Sequence, residues 1–454
     1  MKKVSKICSA ALAISMLCTA APASFAFAAD EENEETVVMT AKITMDGNKA
    51  VAEGENVTVD GGKITISASG AYEFTGTLEN GQICVNVPDE TVDAETVKLY
   101  FNGVSITGVS EAPVYIVNAE NTSINLVADT ENFLYDGETY TETQGTIFAK
   151  DDLTIKGDGS LRIEAAFQYG IQCNNDLKLN GGNIKVKTET EDGIRAKTSV
   201  TIKDGKVDVN AEGDGIKSTK GDVTISGGKV EVKAGNDAIQ AETEIVISDG
   251  KVEAGGDRGL RCDEGKISIS GGNVLATAKD YQIENLNATQ PVLLTSFDQE
   301  YPKDLEFRFC QKDATEPFLK RTATKKFTYA LFSSPTFKSG ESVFMTVSDE
   351  NDADGSASYS LTTPLEIKLT DTVTNYATAI KLTEAAPTTA PNYDINDDTK
   401  VSIADAVLLS RYVGEDSSIT ITPDGVSRTD CNRDGLVDMS DVTKLLRVIA
   451  RLES

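Results

Sequence analysis

The chain has 454 residues, 43 Lys and Arg against 72 Asp and Glu, a formal charge of -29, and neither His nor Trp. Without imidazole, no Ser-His-Asp or Cys-His nucleophile and no HExxH zinc site can be built from this polypeptide. The negative charge argues against nucleic acid, whose phosphates it would repel, and favours divalent cations as partners.

The first 29 residues are typical of a secretory signal peptide. Three Lys in Met1–Lys6 precede an apolar run over Ile7–Phe27, and Ala26-Phe27-Ala28 has the small-x-small pattern of a cleavage site. Downstream, the sequence predicts no membrane span. We therefore expect a secreted, extracellular protein in which a short acidic segment, 30–37, precedes the folded part.

The middle of the chain repeats with a period of 22 to 24 residues. The first apolar column is Ile155, Leu179, Ile202, Ile225, Ile247 and Ile269. The second is Leu161, Ile184, Val207, Val230, Val252 and Val274, and the third is Ile171, Ile194, Ile216, Ile239, Leu260 and Ile283. Glycines at 159, 182, 205, 228, 250 and 272 mark a turn between the first two columns. Apolar and polar residues alternate with strand periodicity, which predicts three short strands per repeat and a right-handed parallel β-helix.

Weaker echoes of the repeat extend back to about residue 38, so residues 38–290 are predicted to form the β-helix. An insertion at 129–144 contains Phe133, Tyr135 and Tyr140 among acidic residues and Gly. This aromatic loop either contacts a ligand or packs over a coil as an ordinary loop.

The cysteines that follow the predicted signal peptide are too scattered for a disulfide framework, and we expect them to be buried as small hydrophobic residues. Cys173 and Cys262 fall in one inward column, with Ala196, Ser218 and Ala241 between them. At the strand spacing they lie about 19 Å apart, too far for a disulfide.

After Ile283 the period is lost. Segments Leu305–Phe309, Phe327–Leu331 and Ser342–Val347 are predicted to be strands of a β-rich cap over 291–371, because a solenoid end otherwise exposes its core. A Pro- and Thr-rich linker is predicted at 372–391.

Two acidic loops, 36 residues apart, form the sharpest motif. Oxygen side chains at loop positions 1, 3, 5, 9 and 12, with a carbonyl at position 7, match the spacing that wraps Ca²⁺. The predicted ligands are Asp394, Asn396, Asp398, the Lys400 carbonyl, Ser402 and Asp405, then Asp430, Asn432, Asp434, the Leu436 carbonyl, Asp438 and Asp441. Apolar helical runs, Ala406–Val413 and Val442–Leu452, follow the loops.

The segments before the two loops contain no predicted helix, unlike an EF-hand, and position 12 is Asp rather than Glu. In this the sequence resembles the type I dockerin family over residues 392–454. The resemblance implies a module that folds with Ca²⁺ and binds a cohesin domain of a cellulosome scaffoldin. It assigns cohesin recognition to Ile403, Ala404, Arg411, Met439, Ser440 and Arg447.

Two departures from the dockerin pattern stand out. Thr399 occupies position 6 of the first loop, where a positive φ is wanted and where the second loop has Gly435. The pairs Ile403-Ala404 and Met439-Ser440 replace the Ser-Thr pair common in the family, which leaves the cohesin type open.

The repeats carry a recurring Asp-Gly-Ile pattern at 192–194 and 214–216, with Asp237-Ala-Ile239 in the next coil. With the Phe327–Pro335 segment, this resembles a secreted clostridial carbohydrate-binding β-helix family that binds cellulose and pectic acid with Ca²⁺. The resemblance covers about residues 38–371 and implies a polysaccharide-binding domain.

Asp192, Asp214 and Asp237 are predicted to stack at one corner, about 5 Å apart, either as a calcium site or as an acidic corner balanced by neighbouring Lys. Beside them, outward residues form a ladder that could follow an anionic or hydroxyl-rich chain. The ladder comprises Gln172, Arg195, Lys217, Gln240 and Arg261, of which the last four are the predicted ligand contacts. Ordinary solvated charge is the alternative for any one of them.

The sequence predicts a secreted, non-catalytic protein that binds plant-cell-wall polysaccharide and docks to a scaffoldin. The alternative enzyme is a calcium-dependent polysaccharide lyase of the pectate-lyase type on the same β-helix, with Lys217 as its base. A structural spacer or adhesin is the third class, distinguished by a lack of affinity for wall polymers.

Overall fold

The computed structural model describes residues 37–108, 111–137, 145–279, 283–349, 358–385, 393–414, 416, 418–426, 428–432 and 437–450. The predicted signal peptide, Tyr140, Asp434, Leu436 and the Pro-rich part of the linker lie outside these residues. The predicted domain boundaries stay predictions.

The described residues form 33 strands and three helices. The first coils contain β1 Ala41–Gly47, β2 Lys49–Gly54, β3 Val57–Asp60, β4 Lys63–Ile66, β5 Gly70–Leu78, β6 Gln82–Asn86, β7 Val97–Thr107, β8 Val114–Asn118, β9 Asn121–Leu126, β10 Glu131–Tyr135 and β11 Gly145–Ala149. The regular repeats contain β12 Asp152–Gly157, β13 Ser160–Ala165, β14 Tyr169–Cys173, β15 Asp176–Thr188, β16 Ile194–Ala196, β17 Ser199–Ala211, β18 Ile216–Ser218, β19 Val223–Ala234, β20 Asp237–Ala241, β21 Glu244–Gly256, β22 Arg258–Cys262, β23 Lys266–Ile269, β24 Asn273–Ala278 and β25 Leu286–Ala288. Next come β26 Val292–Tyr301, β27 Leu305–Cys310, β28 Leu319–Thr322, β29 Phe327–Ser333, β30 Ser342–Asp349, β31 Ser358–Lys368, β32 Val373–Asn375 and β33 Thr383–Ala385. The helices are α1 Ile403–Val413, α2 Pro423–Val426 and α3 Met439–Ile449.

The chain is mainly β and winds into a β-solenoid of about nine turns, as the repeat predicts. Two sheets run along it: an 18-stranded sheet, the large sheet, and a 10-stranded sheet, the small sheet. In-register parallel pairing joins the first two predicted columns throughout, and the third from Ile171 to Leu260. These side chains are buried, so the columns stack into one continuous core.

The prediction of three separate strands per repeat is wrong for the most regular coils. There the first two strands are one long strand, such as β15 or β17, and only the third is separate. Gly182, with φ +82°, and Gly205, with φ +87°, bend these strands, and the β15–β17 pairing shifts register at the bend. Positive φ at Gly turns the chain without ending the ladder. In the first regular coil the left-handed residue is Gly157 rather than the predicted Gly159.

Phe133 and Tyr135 were expected in a loop, either contacting a ligand or packed over a coil, but they lie on β10, which pairs in parallel with β7 and β13. The predicted insertion therefore contributes a regular rung to the large sheet. The sequence hides this rung because its inward residues are Asn132 and Leu134, and a buried Asn breaks the apolar pattern. Asn132 Oδ1 accepts the backbone amide of Val104 at 2.9 Å, which satisfies the buried group.

A β-rich cap covers the last coil, as predicted. Strand β29 pairs antiparallel with both β24 and β26, which joins the cap to the solenoid by backbone hydrogen bonds. Behind it, β27, β28, β30, β31 and β33 form a five-stranded sheet. Aromatic residues such as Phe297, Phe307 and Phe327 fill the second core. The cap thus supplies partners for a coil that would otherwise be an open edge.

The C-terminal module packs α1 and α3 around a small core that includes Ile395, Leu409 and Leu445. Each helix begins earlier than its apolar run suggests, because Ser402 and Asp438 are N-caps in capping boxes. The four-residue helix α2 lies before the second loop, where no helix was expected. No helix among the described residues is long and apolar enough to cross a membrane.

Candidate functional site

The predicted ladder is present on the outer face of the small sheet. Its five residues, Gln172, Arg195, Lys217, Gln240 and Arg261, pair in register from coil to coil. Their immediate neighbours on the strands include the buried column residues, so the ladder side chains project from the opposite face. The solenoid therefore holds the four predicted ligand contacts in one line, about 14 Å long from Arg195 to Arg261 at the strand spacing.

The predicted stack of carboxylates is also present, but two of its members accept backbone amides. Asp192, Asp214 and Asp237 are all buried. Asp192 Oδ1 accepts the amide of Asp214 at 2.9 Å, and Asp214 Oδ1 accepts the amide of Asp237 at 3.0 Å. Asp192 and Asp214 thus each satisfy a backbone donor of the next coil.

The remaining carboxylate oxygens are bound by cations of the ladder and by Arg258. Asp192 Oδ2 lies 3.1 Å from Arg195 Nη1, and Asp214 Oδ2 lies 2.5 Å from Lys217 Nζ. Asp237 Oδ2 receives Arg258 Nη2 at 3.0 Å and Arg261 Nη1 at 3.1 Å. Each acid and its cation therefore form a buried or half-buried pair, closer to the charge-balanced alternative than to an open acidic corner.

Burial changes the pKa of two carboxyl groups at this corner. Desolvation raises the pKa of Asp192 and of Asp237 above the usual range, although the nearby Arg195, Arg258 and Arg261 pull in the opposite direction. The fold therefore disfavours the charged form of these two carboxyls, in spite of their cationic partners.

The glycines of the Asp-Gly-Ile pattern have a packing reason. A Cβ on Gly193 would lie 2.3 Å from Val209 Cγ1, and a Cβ on Gly215 would lie 2.1 Å from Val232 Cγ1. Only a residue without a side chain lets the small sheet approach the large sheet so closely. Two coils after Gly193, Ala238 takes the same position with its side chain buried.

An open polar groove of about 440 Å³, the corner groove, lies where the ladder meets the acid stack. It is lined by Asp214, Lys217, Asn236, Asp237, Gln240, Asp257, Arg258 and Arg261. Arg258 was missed by the sequence analysis, although it takes the register position of Asp237 in the next coil. Comparing the coils at the residue two before the third column would have revealed the change from Asp to Arg.

Gln240 is the wall residue whose hydrogen bonds the fold leaves incomplete. It is only 7% exposed, and its Nε2 donates to Asp263 Oδ2 at 2.6 Å. Its Oε1 accepts no hydrogen bond within the described residues. A shielded acceptor without a donor is costly, so it marks a position where a ligand hydroxyl would be stabilised.

Metal binding at this corner stays a prediction. Within the described ranges, no group of three or more acidic or cysteine side chains could hold a metal ion. The free cysteines Cys84, Cys173, Cys262, Cys310 and Cys431 form no disulfide among these residues. Burial raises the pKa of Cys173 to about 12, which suits a structural thiol rather than a reactive one.

Lys217, the predicted base of the alternative lyase, is ion-paired with Asp214 through Nζ. Proton abstraction from a substrate would require Nζ to leave the Asp214 carboxylate. The ladder position of Lys217 therefore suits contact with a ligand better than proton abstraction.

The first acidic loop is organised around two buried carboxylates that accept backbone amides. Asp394 and Asp405 are fully buried. Asp394 accepts the amides of Asp398 at 3.0 Å and Thr399 at 2.7 Å, and Asp405 accepts the amide of Ile395 at 2.8 Å. Two buried carboxylates in an all-oxygen set fit Ca²⁺.

The described part of the second loop repeats this arrangement. Asp441 accepts the amides of Asn432 at 3.0 Å and Asp438 at 2.8 Å, as Asp405 does in the first loop. The two loops thus have equivalent position-12 carboxylates that fold the loop back on the following helix.

The predicted cohesin contacts lie on the surface. Ile403 is 59% exposed and Met439 is 56% exposed, and both start their helices. Ala404 and Ser440 are also exposed. Arg411 instead donates from Nε to Asp416 at 2.8 Å and from Nη2 to Ser418 at 2.8 Å, so a partner would compete with these contacts.

Comparison with known proteins gives two family matches. A model for carbohydrate-binding domain-containing proteins matches residues 60–290, and a model for the dockerin type I domain matches residues 392–451. A carbohydrate-binding domain-containing protein of Acetivibrio thermocellus is 38% identical over 153 residues, 32% of this chain. The chain spans about half, 52%, of that relative.

One solved structure, a gadolinium derivative of a polysaccharide lyase-like protein from C. thermocellum, is similar at 32% identity with a TM-score of 0.46. The similarity covers 55% of this chain and 97% of that one.

Proposed function

This chain belongs to the family of carbohydrate-binding domain-containing proteins and carries a type I dockerin domain, and we propose that it is a secreted, non-catalytic polysaccharide-binding protein of a cellulosome. Its solenoid holds cellulose or pectic polymers of the plant cell wall, and its dockerin attaches them to a scaffoldin. The corner groove is the proposed binding site, with Arg195, Lys217, Gln240 and Arg261 as contacts.

The unpaired acceptor of Gln240 is the observation that carries this proposal. It lies between Lys217 and Arg261 on one register line, in an open groove with donors on both sides. A sugar hydroxyl would satisfy Oε1, while guanidinium and ammonium groups suit the carboxylates of a pectic acid. A rigid solenoid face loses little entropy when the chain binds.

Pull-down of the purified protein with homogalacturonan tests the site. Gln240→Ala and Arg261→Ala are expected to weaken retention about tenfold each, as each removes about 1–2 kcal/mol of polar contacts. Lys206→Ala is the matched control, because Lys206 lies on the large sheet, where it pairs in register with Lys229, and its loss should have no effect. Undiminished retention by both groove variants would refute the corner groove.

The lyase alternative is tested in the same samples by absorbance from unsaturated uronate products. Retention without product supports a binding protein. Product that disappears in Lys217→Ala would instead establish the lyase, with Lys217 as its base.

We propose that both acidic loops hold Ca²⁺ through the residues named from the sequence, since type I dockerin domains generally bind calcium. The exposed Ile403 and Met439 then form the apolar centre of a cohesin contact. Capture on an immobilised cohesin in Ca²⁺, lost for the Ile403→Asp, Met439→Asp double variant, is the expected result.

A further inference from the structure

The large sheet carries a second groove of about 430 Å³, which we call the Phe133 groove. It lies on a different sheet from the corner groove and shares no lining residue with it. Its lining includes Gly103, Ser105, Phe133, Ser160, Arg162 and Asn183. An aromatic ring beside hydroxyl and amide groups is a typical composition for a small-molecule site.

The groove exists because a small residue precedes a large one along an outward column. Ser105, Phe133, Arg162 and Lys185 pair in register on successive coils. Since rungs are about 4.8 Å apart, the small Ser105 leaves the adjacent side of the Phe133 ring uncovered. Gly103 widens that side, because a Cβ added there would meet nothing within 4 Å.

The other side of the ring is fixed by a cation. The Arg162 guanidinium lies 5.9 Å from the centroid of the Phe133 ring and forms an ion pair with Glu164. A guanidinium at this distance covers one side of an aromatic ring. Phe133 is half-buried, and its side toward Ser105 offers an apolar surface on which a flat ring can stack.

Hydrogen-bonding groups lie beside the ring. Asn183 Nδ2 donates to Ser160 Oγ at 3.3 Å. Asn183 Oδ1, although shielded from solvent, accepts no hydrogen bond from any described residue. A small rotation of the amide would let a ligand hydroxyl donate to it, which would remove the cost of an unsatisfied acceptor.

The charges of this groove indicate which sugar it takes. The wall residues Arg162 and Lys185 are matched by the wall residue Glu131 and by Glu164, the ion-pair partner. With its charges paired, the groove offers mainly the Phe133 ring and hydrogen-bonding groups, and these suit a neutral pyranose.

We infer that the Phe133 groove binds a neutral pyranose chain, such as a β-glucan, on a solenoid face separate from the corner groove. The choice of a cell-wall carbohydrate as ligand rests on the proposed function, but the groove and its residues are different. The two polymer classes named in the proposed function would then bind at separate grooves.

Calorimetric titration of the full chain with cellohexaose tests this inference. Phe133→Ala is expected to weaken binding about tenfold, because the stacking surface is lost. Tyr135→Ala is the matched control, since Tyr135 lies on the same strand and face but outside the groove wall, and its affinity should stay within about twofold. Phe133→Leu keeps an apolar residue without a flat ring and should resemble Phe133→Ala, while its thermal transition shows that the coil is folded.

The corner groove variant Gln240→Ala separates the two proposals. Loss of cellohexaose binding in Phe133→Ala with homogalacturonan retention intact supports the second site, whatever happens at the corner groove. An unchanged cellohexaose affinity in Phe133→Ala, no binding of cellohexaose by the parent chain, or loss of both ligands through Gln240→Ala alone would overturn it.

Discussion

Thr399 is a β-branched residue in the left-handed region, with φ +72°, at position 6 of the first calcium loop. The sequence indicates that this position needs a positive φ, and the loop adopts it although Thr pays for it in strain. Such a conformation costs a non-Gly residue about 1–3 kcal/mol, and β-branching places Thr399 among the unfavourable cases. The amide of Thr399 nevertheless donates to Asp394 at 2.7 Å, which gives the conformation a structural reason.

Thr399→Gly should therefore strengthen the first loop. A module of this kind folds when it binds its ion, so removing strain from the folded loop increases the affinity for Ca²⁺. We expect about fivefold tighter Ca²⁺ binding, or about 1 kcal/mol. Calcium titration by calorimetry measures it. Thr420→Gly, at an exposed position that does not have positive φ, is the control and should bring no gain. Equal affinity in parent and Thr399→Gly would show that the strain is unimportant.

Substitution of Asp192 distinguishes the two explanations of the stacked carboxylates, a calcium site and a corner balanced by cationic side chains. Because burial raises its pKa, the folded chain binds a proton where the unfolded chain has released it. The stability that protonation contributes is present below the unfolded pKa and is lost as pH rises through the folded pKa.

Asp192→Asn keeps an acceptor for the amide of Asp214 and removes the buried charge. We expect it to be at least as stable as the parent near neutral pH, with the difference vanishing as pH falls below the folded pKa. Asp192→Ala leaves that amide unpaired and should lose about 1–3 kcal/mol. Thermal unfolding in EDTA and in Ca²⁺ measures both. A loss of stability in Asp192→Asn seen only in Ca²⁺ would instead establish the calcium corner.

At the scale of the element, the coil closes only because the small sheet lies directly against the large sheet at Gly193 and Gly215. Gly193→Ala should destabilise the solenoid by about 1–3 kcal/mol, since its methyl group would overlap Val209. Chemical denaturation measures the change. Ala238→Gly, at the equivalent position where a methyl group fits, is the control and should cost about 1 kcal/mol or less. A stable Gly193→Ala variant would mean that the sheets separate easily.

The columns of the coil were predictable because a strand period of two, repeated every 22 to 24 residues, allows one register for Ile155, Leu161 and Ile171. The bend at Gly182 was predictable as a turn but not as a continuous strand, since backbone hydrogen bonds across it depend on the next coil. The rung at Phe133 was missed because buried Asn132 is satisfied by Val104, 28 residues away, which no local pattern encodes.

The site was predictable as a line of residues but not as a set of contacts. Register alone places Arg195 and Lys217 in one column, and the sequence therefore predicts the ladder. The carboxylates of Asp192 and Asp214 accept amides of the next coil because of the backbone geometry at the corner. This geometry is not visible in the sequence, where stacked acidic residues suggest a metal site. The Phe133 groove depends on the small size of Ser105 one coil earlier, a relation visible only in the folded chain.

At the scale of the whole molecule, calcium and polysaccharide are expected to act on different parts of the chain. EDTA should abolish capture by cohesin, because the oxygen ligands of both loops need the ion. Homogalacturonan retention in the corner groove should remain, since Lys217 and Arg261 already neutralise the acids there. Parallel pull-downs on cohesin and on polymer measure both. Loss of both activities in EDTA would show that the solenoid also requires the ion.

Because the ladder is stacked in register, the number of coils sets the length of the polymer track, the proposed binding surface along the ladder. Each coil adds one residue to every column, so a tandem duplication of 22 to 24 codons would lengthen the track by one rung, about 4.8 Å, and leave the other coils in place. The cap would still close on the last coil, provided that the duplicated unit leaves β24 unchanged. Selection for longer or shorter polymer segments can thus proceed by copying or deleting whole coils rather than by remodelling a pocket.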